Sequence, residues 1–304
     1  MTATTLPDHN GPASAPFRWN FKGRVIAIDN GATLARRPDF KTLMALDALS
    51  VITFDPASRL HGLPAPSDHA QFQLFSGVTL GDGNPVRLHA CLDPELSATR
   101  APLAAALLPT PLQNAAQVLA RITLNSLQLD RIEGLKSVDW LVLDDRHDSL
   151  AILQHARAAM RNVLLAQVRT SFAATHEGGP DFTQLCQHMA EQGLSFYRFH
   201  EPSHLSHFPT GLKLDNPRAS HLQSADALFI PDRARLAQLE PQRRLKLAFI
   251  LDSAYGLHDL AYPLIAAVDD NQAYAYLSAR HYLHQAADPA TTFTLTAQYS
   301  PAPW

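Results

Sequence analysis

Three apolar runs in this chain end in side chains that could do chemistry. VIAIDNGAT, Val25 to Thr33, delivers Asp29, Asn30, Gly31 and Ala32; VITFDP, Val51 to Pro56, delivers Asp55. WLVLDDRHDSL, Trp140 to Leu150, delivers Asp144 and His147 inside a charged tip. An acid and a glycine at a strand exit suit a nucleoside cofactor, because glycine admits the ligand close to the backbone and the acid balances a cation or accepts hydroxyl hydrogen bonds. An acid after the second strand can accept both hydroxyls of a ribose. Asp144 or His147 could take the proton of an acceptor hydroxyl, with Asp148 orienting the imidazole. Each feature also has a plainer reading. Any βα turn can need a glycine, Asp55-Pro56 can simply start a loop, and Asp148 or Ser149 can cap a helix. G-x-G-x-x-G is absent, which argues against the standard dinucleotide fingerprint.

The elements that must position these residues follow from hydrophobic patterning. Short runs rich in β-branched residues predict strands at Arg24–Ile28, Ser50–Phe54, Gln71–Phe75, Val86–Leu92, Val138–Asp144, Val163–Phe172, Ser195–His200, Ala225–Ile230 and Thr291–Tyr299. Several are continuously apolar, as expected of strands covered on both faces. Helical segments are expected at Arg37–Leu49, Leu150–Met160 and Phe182–Gln192, the last stopped by Gly193. GDGNP, Gly81–Pro85, reads as a tight turn of a local hairpin. Glu95–Gln117 lacks a sheet pattern and reads as a loop or lid, and Pro231 to about Ala287 reads as helical. Alternating strands and helices predict an α/β, mostly parallel sheet with helices on both faces and ligands at the strands' carboxyl ends. The predicted organisation is a loose tail over residues 1–17, a main domain over 18–231 and a mainly helical extension over 232–304.

Composition narrows the classes. The chain has 304 residues, 46% hydrophobic and 17% charged, with a formal net charge of -3, so a nucleic-acid partner is not indicated. Cys91 and Cys186 make no disulfide framework and match no metal spacing, which fits a reducing cytoplasm. No run of about 18 apolar residues occurs, so no membrane partner is expected. The alanine, leucine and arginine content points to a GC-rich bacterial genome. FHEPSHLSHFP contains the H-E-x-x-H pattern at His200, Glu201 and His204. Pro202 inside it works against the helix that would align two zinc ligands, so no metal is expected.

The segment TLNSLQLDRIEGLKSVDWLVLDDRHDSLAILQHARAAMRNVLLAQVRTSF resembles the signature region of the FkbM-type S-adenosylmethionine-dependent methyltransferases. The resemblance takes in VIAIDNGAT, VITFDP, SGVTLGDG, HEGGPDFTQLCQHMAEQGLSFYRFH, ADALFIPD and LKLAFILDSAYGLHDLA, from about Arg24 to Leu264. It implies a Rossmann-like class I methyltransferase fold with a seven-stranded sheet. It also implies S-adenosyl-L-methionine as cofactor and O-methylation of a hydroxyl on a sugar or secondary metabolite. Asp29, Asn30, Gly31, Ala32 and Asp55 would hold the cofactor, and Asp144 with His147 would face the small-molecule or glycan acceptor. The departures are specific. Thr33 replaces the family's Asn, Asp55 its Glu, Val142 its Lys, Arg146 its Glu, His147 its Gly and Ser149 its Glu, and Arg169 sits near where the family has an acid at the end of the next strand. A scaffold kept while its polar signature is rewritten also fits a catalytically inactive methyltransferase-like protein. Such a protein would serve as a binding or assembly partner, in a homo-oligomer or with another protein.

Overall fold

A computed structural model describes residues 17–62, 71–135, 137–208, 213 and 218–283. Most of the predicted N-terminal tail, the predicted Thr291–Tyr299 strand and the end of the predicted helical region lie outside the described residues.

The chain divides into two compact units, Gly23–Leu239 and the pair of segments Met1–Lys22 and Glu240–Trp304. The larger unit begins with β1 (Val25–Asn30), α1 (Phe40–Ala45), β2 (Leu49–Asp55), β3 (Phe72–Ser76), β4 (Val78–Leu80) and β5 (Val86–Cys91). Then come α2 (Thr110–Gln113), β6 (Val118–Leu127), β7 (Trp140–Leu143), α3 (Ser149–Gln154) and α4 (Arg157–Met160). It closes with β8 (Leu165–Ser171), α5 (Phe182–Glu191), β9 (Leu194–Leu205), β10 (His221–Pro231) and α6 (Arg233–Ala237).

Seven strands form one sheet in the order β3-β2-β1-β7-β8-β10-β9. The first five are mutually parallel, whereas β10 runs antiparallel to both β8 and β9. This is the mixed α/β, mostly parallel, seven-stranded sheet that the sequence led us to expect. Central strand β7 is buried throughout: Trp140, Leu141, Val142 and Leu143 are each at most 1% exposed. Val142 is sheet core. One apolar cluster joins Ile28, Phe54, Leu141, Leu143, Val168 and Phe229 to Leu185 and Met189 of α5. That helix starts as its sequence dictates. Asp181 accepts from the Gln184 N–H, and the Gln184 side chain returns to the Asp181 N–H, a complete capping box.

Several local expectations need correction. The helix read at Arg37–Leu49 spans only Phe40–Ala45, because Asp47 takes a left-handed φ of 53° and Leu49 already opens β2. The helix read at Leu150–Met160 is two, interrupted at His155 and Ala156. Gly81–Pro85 does not close a hairpin. It links β4 to β5, which flank β6 in a separate three-stranded sheet, β4 parallel and β5 antiparallel to it. Strands β4 and β6 were not expected; β4 has three residues, and along β6 only Leu124 and Ser126 are buried, so no alternation announces it. Glu95–Gln117 contains two 3-10 turns, Pro94–Leu96 and Ala105–Leu107, besides α2.

The smaller unit is helical, with α7 (Pro241–Tyr255), α8 (His258–Ala266) and α9 (Asp270–Ala279). Gly256, at φ 62°, ends α7 in the left-handed conformation that glycine adopts without a Cβ clash. Trp19 packs edge-on against Phe249, and the Tyr276 hydroxyl donates to the buried Asp252 carboxylate at 2.8 Å. Arg280 also pairs with Asp252. Among the described residues, no helix is long and apolar enough to cross a membrane.

Candidate functional site

The sheet order makes β2, β1 and β7 neighbours, so their carboxyl ends bring Asp55, Asp29 and Asp144 together at the edge where an open sheet of this kind would have its crevice. All three are buried, at 1%, 0% and 4% exposure. A buried carboxylate needs donors, and the donors found here are almost all the protein's own.

Asp29 folds its own exit loop. Its Oδ1 accepts from the Thr33 N–H at 2.9 Å and its Oδ2 from the Ala35 N–H at 3.1 Å. Burial nevertheless dominates and raises its pKa to about 7, against the backbone hydrogen bonds that favour the anion. Asp55 behaves as the loop starter, accepting from the Arg59 and Leu60 N–H groups at 2.8 Å each, one per oxygen. Asn30 turns its carbonyl oxygen to the Leu80 N–H at 2.8 Å, tying β1 to β4. Its Nδ2 is buried without a partner. Gly31 and Ala32 both adopt positive φ, 106° and 59°. A Cβ on Gly31 would lie 2.1 Å from Asp144 Oδ2, so the close approach that glycine permits is made to Asp144.

Between these tips lies Arg59, a residue not singled out in the sequence. Its Nη1 donates to Asp144 Oδ2 at 2.9 Å and to the Gly31 carbonyl at 3.2 Å, and its Nη2 donates to the Ser97 carbonyl at 3.0 Å. The side chain is 5% exposed. One guanidinium therefore stitches the ends of β1 and β7 to the Ser97 turn. Burial works against ionisation of Asp144, but His147, Arg59 and Arg146 outweigh it and hold the pKa below the ordinary 3.8. Burial also lowers the His147 pKa. Arg59, which is charged at every working pH, is the permanent countercharge.

His147 sits 3.8 Å from Asp144 through Nε2, too far for a hydrogen bond, and Nε2 has no other partner. Its Nδ1 lies 3.1 Å from the Thr99 hydroxyl. Asp148 does not orient it, because Asp148 caps α3 by accepting from the Ala151 N–H at 3.0 Å. Arg146 turns away to Thr175 and His176, at 3.1 and 3.3 Å, and Arg169 pairs with Asp226 at 3.1 Å. His200 and His204 lie on β9, a strand, so the H-E-x-x-H pattern is not on the helix it needs. Among the described residues, no group of three or more His, Cys, Asp or Glu could hold a metal ion.

No family model matches the chain. No curated protein matches it either. Among solved structures it is similar to magnesium protoporphyrin IX methyltransferase (ChlM) from Synechocystis PCC 6803 with bound SAH, at 7% identity over 69% of this chain and 75% of that one, with a TM-score of 0.33. It is also similar to LepI in complex with SAM, at 7% identity over 69% of this chain and 44% of that one, with a TM-score of 0.30.

The crevice does not fit a sulfonium nucleoside as it stands. The glycine cradle is filled by Asp144, both oxygens of Asp55 are engaged by its own loop, and a buried guanidinium already supplies the cation. The signal that could have pointed to Arg59 is its place four residues after Asp55, in the loop that the carboxylate folds.

Proposed function

We propose that this chain is a methyltransferase-fold protein that acts as a binding or assembly partner, with its nucleoside crevice closed from within. The observation that carries this reading is Arg59, 5% exposed and paired at 2.9 Å with an Asp144 that is 4% exposed. Admitting a cationic cofactor means removing one cation from a buried pair. Moving Arg59 out gives up that pair and its bonds to the Gly31 and Ser97 carbonyls, a cost on the order of a few kcal/mol that the incoming cation repays only in part, and each 1.4 kcal/mol not repaid weakens binding about tenfold. The test is calorimetry with S-adenosylmethionine and S-adenosylhomocysteine. The expected result is no heat at millimolar ligand. Micromolar binding, lost in Asp29→Ala and in Asp55→Ala variants that keep their circular dichroism, would overturn the proposal.

A second reading is an FkbM-type O-methyltransferase acting on a hydroxyl of a sugar or secondary metabolite. In its favour, three acidic strand ends share one crevice, and His147 keeps a buried, unpartnered Nε2 there. This reading requires Arg59 to leave Asp144 on binding. It predicts measurable cofactor affinity in the wild type, so the same titration separates the two.

A further inference from the structure

The fold leaves a different hollow open beside the closed crevice. A cavity of about 370 Å³ lies past the carboxyl ends of β7 and β8 and is bordered by Arg100, Asp145, Arg169, Glu177, Asp181 and Leu185. Its size is that of a small-molecule site. What such a site would bind depends on which of its charges are already satisfied.

Most are. Arg169 is balanced by the buried Asp226 at 3.1 Å. Asp145 lies 3.7 Å from Arg146 Nε. Asp181 is engaged by the Gln184 N–H of α5 at 2.7 Å. Glu177 is exposed at the rim, where solvent screens it. Arg100 differs. Its Nε, Nη1 and Nη2 donate to the carbonyls of Glu177, Asp145 and His176 at 2.8, 3.0 and 3.2 Å. All three acceptors are neutral, and among the described residues no carboxylate pairs with it. A guanidinium carries five N–H donors, so these bonds leave one N–H on each Nη unused. The head group is also held in place, since a Cβ on Gly179 would lie 2.4 Å from Nη2. Burial lowers the Arg100 pKa, so this cation has lost part of its hydration, and the nearby carboxylates of Asp145, Asp148 and Asp144 act on it through space without a direct ion pair.

We propose that this hollow binds the carboxylate of a small organic acid on Arg100, with the acid's apolar body against Leu103, Pro180 and Leu185, which also line it. A planar carboxylate matches the two unused N–H groups of one guanidinium fork. A doubly charged phosphate suits the site less well, because Asp145, Glu177 and Asp181 also line it and would repel the second charge. The inference is independent of the crevice. It concerns other residues and another ligand, and its failure leaves the cofactor titration unaffected.

The test uses the full chain and four probes: benzoate and hexanoate, with benzamide and hexanamide as uncharged counterparts of the same shape. Binding is followed by calorimetry and by ligand-observed NMR. At least one acid should bind, with its amide weaker by roughly tenfold or more, as a charge-assisted pair requires. No binding of either acid at 10 mM (on the order of the weakest useful site affinities) would overturn the proposal, as would equal affinity of acid and amide. Arg100→Gln should abolish acid binding, and a folded Arg100→Gln protein that still binds as the wild type does would also overturn it. Should Arg100→Gln fail to fold, Arg100→Lys, which keeps the charge but loses the fork, should weaken the acid and leave the amide unchanged. Equal acid affinity in that variant would count against the proposal.

Discussion

Replacing Arg59 by methionine removes the guanidinium while keeping much of its aliphatic volume. The variant loses an ion pair at 2.9 Å whose partners are 5% and 4% exposed, together with the hydrogen bonds to the Gly31 and Ser97 carbonyls. The largest consequence is the Asp144 carboxylate left in place. Burial opposes its ionisation, and burial also disfavours the charged form of His147, the nearest group that could replace the missing cation. Breaking one side of a buried pair costs about 3–5 kcal/mol. Asp144→Asn should cost less, because it leaves a guanidinium that still reaches two carbonyls. The double variant Arg59→Met/Asp144→Asn should recover part of the loss, giving a coupling energy of about 2 kcal/mol or more. The sign with pH is fixed. The folded-state pKa of Asp144 is depressed, so its contribution is present above the unfolded value and is lost as pH falls through the folded one. The difference between wild type and Arg59→Met should therefore be largest at neutral pH and shrink in acid. Urea unfolding followed by the emission of Trp140, buried on β7, and by circular dichroism reads all four proteins. A loss below about 1 kcal/mol for Arg59→Met, or a coupling energy near zero, would place the pair among weak surface interactions and refute the reasoning about the crevice.

Other expectations follow from the same region. Gly31→Ala puts a methyl where Asp144 Oδ2 lies 2.1 Å away, at φ 106°, and should destabilise by about 2–4 kcal/mol in urea melts. An unaffected melt would mean that the loop and Asp144 move apart easily. Asp29, raised to about 7 by burial, favours folding in its protonated form, so its contribution is lost as pH rises from the unfolded value through 7. Relative to wild type, Asp29→Asn should therefore gain stability between pH 4 and pH 8, by on the order of a few kcal/mol. A pH-independent difference would contradict the raised pKa.

Much of the main sheet is legible in the sequence because strands declare themselves through local chemistry. Trp140 to Leu143 are apolar on both faces and become the middle of a parallel sheet, and the Asp181–Gln184 pair marks the start of α5 by a hydrogen-bonding box four residues long. β6 escaped because it is mostly exposed; its pairing with β4 and β5, rather than its own burial, makes it a strand. The converging acids were legible too, since a strand's end and the residue type there are both local facts. Their use was not. Asp55 carries the same letter whether it holds a ribose or its own loop, and only the 2.8 Å bonds from Arg59 and Leu60 distinguish the two.

The sequence by itself determined where the strands of the main sheet run and which carboxylates stand at their exits, because those follow from side-chain hydrophobicity and backbone preference over a few residues. Only the tertiary structure decided what fills the space between those exits. Arg59 meets Asp144 across 85 positions of chain. The destination of a long cationic side chain is set by which distant carbonyls and carboxylates the fold leaves needing a donor.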